Sequence, residues 1–416
     1  MTGFGDVFVA LIFLWLANVV VLRHIRSRHD PETARFLERV YLWTLLARAA
    51  LAFALNLSFG STFFALFWGD SSSYHFDGGN LAAYWRGEMP WEPPLIAQGW
   101  GMSYLVGAFY YVFGANALLV QFFNCTLGSL TVLVIHAMAR ELFDAKVAGW
   151  AAQFMAFFPQ MIFWSAGLYK DPAVLLCIAV AMRSVLAFRT SFQVRQASLY
   201  LGAVLALFTL RFYVCYMVVI ATLGTLAFIQ QRGFARGLAY QVGIGLLLLG
   251  TFSFALNRET IEQQNARMDL ETLQVARADQ ANQASSAFLE EIDVSTPEGA
   301  LSALPEGTLY LLFAPFPWSI GSFRQALTIP EMLVWYSLMP ALWRGLRYVV
   351  RNKFRDALPI LVFAAMLTVA YGVFQSNVGT AYRQRTQIAM FFFILMGVGL
   401  VHGKAPGVGR PAGARA

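Results

Sequence analysis

The sequence predicts an all-α fold: a polytopic membrane helix bundle of about 10–12 spans with interfacial helices in its first outer loop. Three observations predict it. Of 416 residues, 58% are hydrophobic and 13% charged, whereas soluble domains carry about 25% charged residues. Several windows of about 20 residues are nearly free of charge, enough to cross a hydrocarbon core of about 30 Å. Lysine and arginine gather in alternate loops, as the positive-inside rule demands. The formal charge of +7 reads as that bias and excludes nucleic acid as a partner.

Taken in order, the apolar runs place spans at 5–22, 40–60, 117–139, 147–166, 172–189, 197–210, 212–230, 238–256, 328–343, 357–374 and 386–402. The first has no basic residue before it and a basic loop after it. It reads as a retained span with its N-terminus outside, in contrast to a cleaved signal. Loops 23–39, 140–146, 183–195, 231–236 and 344–355 and the tail 403–416 hold 20 of the 30 Lys and Arg residues, which assigns them to the cytoplasm. The outer regions are then 61–116, 167–171, 257–327 and 375–385. Residues 1–416 read as one integral domain. Cys125, Cys177 and Cys215 fall inside spans, as apolar fillers with no disulfide or zinc spacing.

Two outer regions are long. In 61–116, "NLAAYWRGEMPWEPPLIAQGWGMSYLVGAFYYVFG" is too broken by Pro and Gly for one span. Its Tyr and Trp residues suit two short helices in the outer interface. The segment 257–307 carries ten acidic and three basic residues. It reads as a partly helical extracytoplasmic loop. "FAPFPWSIGSF", residues 313–323, is too short to span and reads as a re-entrant or interfacial hairpin.

The densest polar cluster, "FWGDSSSYHFDGG" at 67–79, stands where the second apolar run ends. Asp70 has two readings there, a carboxylate that does proton chemistry near the membrane surface and a helix cap. Asp77 lies in "FDGGN", a turn signature. His75 is the one histidine expected outside. His24, His29, His136 and His402 lie near the inner side, so a histidine metal cluster is excluded. Asp70 with Asp77 offers oxygen ligands for a divalent ion, and no other cofactor is implied.

Downstream comes "FNCTLGSLTVLVIHAMARELFDAKVAGWAAQFMAFFPQMIFWSAGLYKDP". The ordered set of Asp70 and Tyr74, Asn124 and Gly128, the "AR-x-LF" turn at 139–143, and Pro159 followed by "WSAGLYKD" resembles the GT-C superfamily of membrane glycosyltransferases. The likeness is to bacterial relatives of protein mannosyltransferases and lipid A aminoarabinose transferases, over residues 40–175. It implies transfer of a sugar from a polyprenyl-phosphate carrier to a glycan, lipid or protein acceptor outside the cytoplasm, and it puts Asp70 at the family's first-loop Asp. The span at 5–22 departs from the family pattern.

Such a reaction needs a base for the acceptor hydroxyl and cations for the leaving phosphate. Asp70 is the candidate base. Candidate substrate ligands are Tyr74, His75, Asp77, Lys170 and Asp171 of "GLYKDP", Arg211 between two apolar runs, Trp318, and Tyr382, Arg383 and Arg385 of "QSNVGTAYRQRTQ". Arginines at an outer membrane end run against the positive-inside bias, and their planar forks suit phosphate. Arg383 with Arg385 also suits a diphosphate carrier, the substrate of a polysaccharide polymerase or ligase. A transporter needs charges along a midplane path, and Arg48 is the candidate for that. Asp171-Pro172 also reads as an ordinary helix start, and Arg48 as a structural partner.

Overall fold

The apolar runs do fold as helices. The structure, a computed structural model, describes residues 3–58, 69–90, 100–189, 193–227, 243, 269–282, 286–289 and 291–403. In these residues sixteen helices form, α1 (Phe4–Arg28), α2 (Pro31–Leu57), α3 (Asp70–Trp85), α4 (Trp100–Phe113), α5 (Ala117–Leu142), α6 (Ala145–Phe157), α7 (Pro159–Ala166), α8 (Asp171–Phe188), α9 (Val194–Leu210), α10 (Phe212–Ala227), α11 (Leu270–Asn282), α12 (Pro297–Phe313), α13 (Phe323–Asn352), α14 (Phe354–Phe374), α15 (Val378–Gln384) and α16 (Thr386–Val401). The β-structure among the described residues is one isolated bridge, Ala287 with Asn377. Five helices, α1, α2, α5, α8 and α14, are long and apolar enough to cross a membrane, or six if the bent pair α15–α16 counts as one span. The expected span at 238–256 lies outside the described residues except for residue 243.

Start signals fix several ends. Asp30 accepts from the Thr33 amide ahead of Pro31, so α2 begins nine residues before the expected span. Asn116, Asp144, Thr296, Ser322 and Asn377 cap α5, α6, α12, α13 and α15 in the same way. Glycines fix where helices cross. A Cβ on Gly78 would lie 2.4 Å from a Val106 methyl, so α3 packs closely on α4. A Cβ on Gly307 would lie 1.7 Å from the Gly372 carbonyl, which seats α12 against α14.

Contacts between polar and charged side chains mark two ends of the bundle. His402 with Asp144 and Arg189 with Asp356 gather the end of α16, the starts of α6 and α14 and the end of α8. The starts of α3 and α8, the α9–α10 junction and the end of α15 meet at the other end through Asp70, Asp171, Arg211 and Arg383. Large apolar side chains such as Phe8, Trp15, Leu16, Trp43 and Leu46 stay exposed, as expected of a face turned to lipid tails.

Two expectations need correcting. "FDGGN" is no turn. Asp77, Gly78 and Gly79 lie inside α3, because Gly78 is needed for the close approach to α4. The expected single span at 147–166 is two helices, α6 and α7, because Pro159 breaks it. The partly helical reading of 257–307 holds, with α11 and the start of α12 inside it.

Candidate functional site

One buried break prepares the site. Pro159 has no N–H, so the Met155 carbonyl loses its helical donor. Arg48 of α2 replaces it: Nη2 donates to Met155 O at 3.3 Å, Nη1 to Ala156 O at 3.1 Å and Nε to Ser165 Oγ at 2.7 Å. Thr44 Oγ1 adds a bond to Ala156 O at 2.7 Å. Gly128 makes room, since a Cβ there would lie 2.7 Å from Ser165 Cβ and 3.0 Å from Arg48 Nε. Arg48 is thus a structural partner, with its donors spent on the α6–α7 break.

Four residues earlier on the same helix face, Asn124 holds the loop that follows α7. Its Nδ2 donates to the Gly167 and Tyr169 carbonyls, both at 2.9 Å. Gln121 Nε2 donates to Ala166 O at 3.2 Å. These carbonyls are buried away from water and need such donors. The Asn-x-x-x-Gly step therefore fixes the turn that presents Tyr169, Lys170 and Asp171.

The charged groups form an alternating chain. Asp70 Oδ2 accepts from Arg383 Nη1 at 2.6 Å. Asp171 Oδ2 accepts from Arg383 Nε at 2.8 Å and Nη2 at 2.6 Å. Asp171 Oδ1 accepts from Arg211 Nη2 at 3.0 Å. The Arg383 guanidinium lies 4.9 Å from the ring centres of both Trp164 and Tyr169, within cation–π range. Asp171 is 1% exposed and Arg211 5%, whereas the Asp70 side chain is 52% exposed. Asp70 opens α3 behind Gly69, which holds the cap position, so Asp70 is not the cap.

The Lys170 side-chain amine has no ion pair or hydrogen bond among the described residues. Burial, then the Arg211 and Arg383 charges, hold its amine down at about 7. Tyr74, one turn after Asp70 and 8% exposed, lies in the field of Asp70, Arg383, Asp171 and Arg211. With Lys170 protonated, three cations face two carboxylates. Arg211 Nε and Trp164 Nε1 are buried donors without a partner among the described residues.

The other candidates lie elsewhere. His75 Nδ1 meets the Tyr110 hydroxyl at 2.6 Å, and Asp77 Oδ2 accepts from Ser103 at 3.2 Å, both within the α3–α4 pair. Asp70 and Asp77 thus have separate partners. Among the described residues no three His, Cys, Asp or Glu side chains gather as metal ligands. Tyr382 donates to Glu331 Oε2 at 2.7 Å. Arg385 is fully buried and gives its Nη1 to the Leu312 and Ala314 carbonyls at 3.1 and 2.9 Å. It pins the corner between α12 and α13 and does not enter the cluster. Trp318 is 80% exposed and stacks on Phe316. Trp164 and Tyr169 are site residues that sequence reasoning missed. Both stand in the "WSAGLYKD" stretch, where aromatics beside an ionisable pair were the available signal.

Comparison with known proteins adds a segment and a set of folds. Residues 97–255 match the family model for dolichyl-phosphate-mannose-protein mannosyltransferase. That range includes Lys170, Asp171 and Arg211, and leaves out Asp70 and Arg383. No curated protein matches the sequence. Among solved structures, the Archaeoglobus fulgidus oligosaccharyltransferase in its apo form is similar, at 16% identity and a TM-score of 0.48, over 87% of this chain and 50% of its own. So is AglB from Archaeoglobus fulgidus with an inhibitory peptide and a dolichol-phosphate, at 14% identity, a TM-score of 0.48 and the same coverage. ArnT from Cupriavidus metallidurans bound to undecaprenyl phosphate follows at 16% identity and a TM-score of 0.45, over 82% of this chain and 61% of its own. The chain spans about half to three fifths of the length of these structures. With the ordered motifs over 40–175 and the family match over 97–255, the chain resembles the GT-C membrane glycosyltransferases of the protein mannosyltransferase kind.

Proposed function

We propose that this protein is a glycosyltransferase that moves a sugar from a polyprenyl-phosphate-linked donor to an acceptor on the extracytoplasmic side of the membrane, in cell-surface glycan or polysaccharide synthesis. One observation carries the reading. A half-exposed carboxylate, Asp70, adjoins buried Asp171, Arg211 and Arg383, and Lys170, when protonated, makes three cations against two carboxylates. A lipid phosphate supplies the missing negative charge, and Lys170, Arg211 and Arg383 are the groups to meet it.

The chemistry follows. Asp70 Oδ1 has no partner among the described residues, so it is free to take the proton of an acceptor hydroxyl. The hydroxyl oxygen then bonds to the anomeric carbon from the face opposite the phosphate. The carbon–oxygen bond to the phosphate breaks, and the phosphate leaves with the electron pair. Attack from that face inverts the configuration. The cations neutralise charge as it develops on the leaving oxygen. Asp171 is unsuited to be the base, because two arginines occupy both its oxygens.

The polymerase or ligase reading relied on Arg383 and Arg385 sharing a diphosphate. Arg385 Nη1 is held by two backbone carbonyls and Nη2 by Met332 Sδ, away from the cluster, which favours a monophosphate carrier. The transporter reading relied on Arg48, whose donors close the α6–α7 break.

Side and activity are tested together. In a cysteine-free background, Ser73→Cys in α3 should react with a membrane-impermeant maleimide on whole cells, and Arg355→Cys only after permeabilisation. A deletion strain should lose one glycan modification and keep its unmodified acceptor, by mass analysis. Labelling with the opposite sidedness, or an unchanged glycan profile, counts against the proposal.

A further inference from the structure

The Arg383 guanidinium stands between two carboxylates contributed by different helices, Asp70 at the start of α3 and Asp171 at the start of α8. Its Nη1 takes Asp70 Oδ2, and its Nε and Nη2 take Asp171 Oδ2. A hard divalent ion binds through oxygens at about 2.0–2.6 Å, and these two oxygens are the ones it would share. The remaining surroundings suit an organic cation. The Trp164 and Tyr169 ring faces lie 4.9 Å from the guanidinium carbon and hold a cation by their quadrupoles. Arg211 takes the other oxygen of Asp171, and Lys170 adds further positive charge nearby.

We propose that Arg383 is the resident cation of this site, filling the position between Asp70 and Asp171 that a divalent metal would bridge, so that the cluster operates without a metal and becomes a divalent-cation site only when the guanidinium is removed. A divalent ion entering the intact site must displace a guanidinium held by three charge-assisted hydrogen bonds and then sit beside two further cations. With Arg383 shortened, two carboxylates face each other with Arg211 remaining on one of them. Asp70 is half exposed and free to close on an ion, and Mn2+ accepts carboxylate and water oxygens.

The inference rests on the same residues as the proposed function, but Mn2+ uptake reads the cation site whether or not the protein transfers sugar. The test is a Mn2+ titration of the purified full-length protein, followed by loss of the free-ion electron paramagnetic resonance signal. Wild type should take up no stoichiometric Mn2+, and its retention of added undecaprenyl phosphate, by native mass spectrometry, should be unchanged by EDTA. Arg383→Ala should take up one equivalent, and Arg383→Ala with Asp171→Asn should lose it again. Arg383→Gln serves as a second variant that keeps more of the packing. One equivalent of Mn2+ on wild type, abolished by Asp70→Asn, overturns the proposal. So does a folded, monodisperse Arg383→Ala or Arg383→Gln protein that takes up none. If neither variant folds, the wild-type titration decides.

Discussion

Replacing Asp70 with Asn separates chemistry from architecture. The exchange keeps shape and removes the capacity to accept a proton. Gly69 and not Asp70 holds the cap position of α3, and Asn is as good a cap as Asp in any case, so α3 keeps its start. The folded state loses one ion pair with Arg383, whose partners are 12% and 52% exposed. A pair open to water on one side is worth about 0.2–1 kcal/mol, too little to unfold the bundle. Loss of a general base costs about 10²–10⁴-fold in rate. Asp70→Asn should therefore express and melt like wild type and lose turnover by that factor. The assay is release of polyprenyl phosphate from a polyprenyl-phosphate sugar in detergent, with melting followed in parallel. Full turnover by the variant would refute the base assignment, and so would a loss of activity matched by loss of folded protein.

Arg383→Ala and Arg385→Ala should fail differently although they are two residues apart. The first should weaken retention of undecaprenyl phosphate, losing charge-assisted bonds of about 1.5–3 kcal/mol each. The second should lower the melting temperature, because two carbonyls at the α12 end lose their donor, at about 1–3 kcal/mol per orphaned group. Asn124→Leu, close in size, should orphan the Gly167 and Tyr169 carbonyls at a similar cost each. It should weaken lipid-phosphate retention even in the fraction that stays folded. Lys170, held at about 7, is charged below that pH, so undecaprenyl phosphate affinity should fall as pH rises through about 7. Lys170→Met should flatten that profile. The same depressed amine makes the unfolded chain bind more protons between its two pKa values, so the lipid-free protein should gain stability as pH rises above about 7.

Much of this was legible in the sequence, for reasons the structure explains. Lys170, Asp171, Arg211 and Arg383 stand out because ionisable groups at the ends of apolar runs are costly without a partner, and here they partner one another. Arg385 looked equivalent to Arg383, yet two residues on a helix point about 200° apart, and α15 and α16 bend by 51° between them. Asp77, read as a turn residue that could share an ion with Asp70, lies two turns, about 10 Å, further along α3. His75 points at Tyr110 from another face of that helix. The role of Asn124 was invisible because it acts on carbonyls 43 and 45 residues away, and spacing along the chain says nothing about such contacts. Trp164 and Tyr169 carried no assignment of their own, because the cation that meets their rings, Arg383, comes more than two hundred residues later.

The central claim is sugar transfer from a lipid phosphate at the Asp70 cluster. Its most direct measurement is single turnover of the purified protein in liposomes, with a panel of polyprenyl-phosphate sugars and a membrane glycan extract as acceptor. The products are the freed polyprenyl phosphate and the glycosylated acceptor, with its anomeric configuration. Wild type should release polyprenyl phosphate and form the inverted linkage with at least one donor, and Asp70→Asn should do neither while still retaining the lipid. Equal turnover by the two proteins, or a product that retains the donor's configuration, contradicts the account.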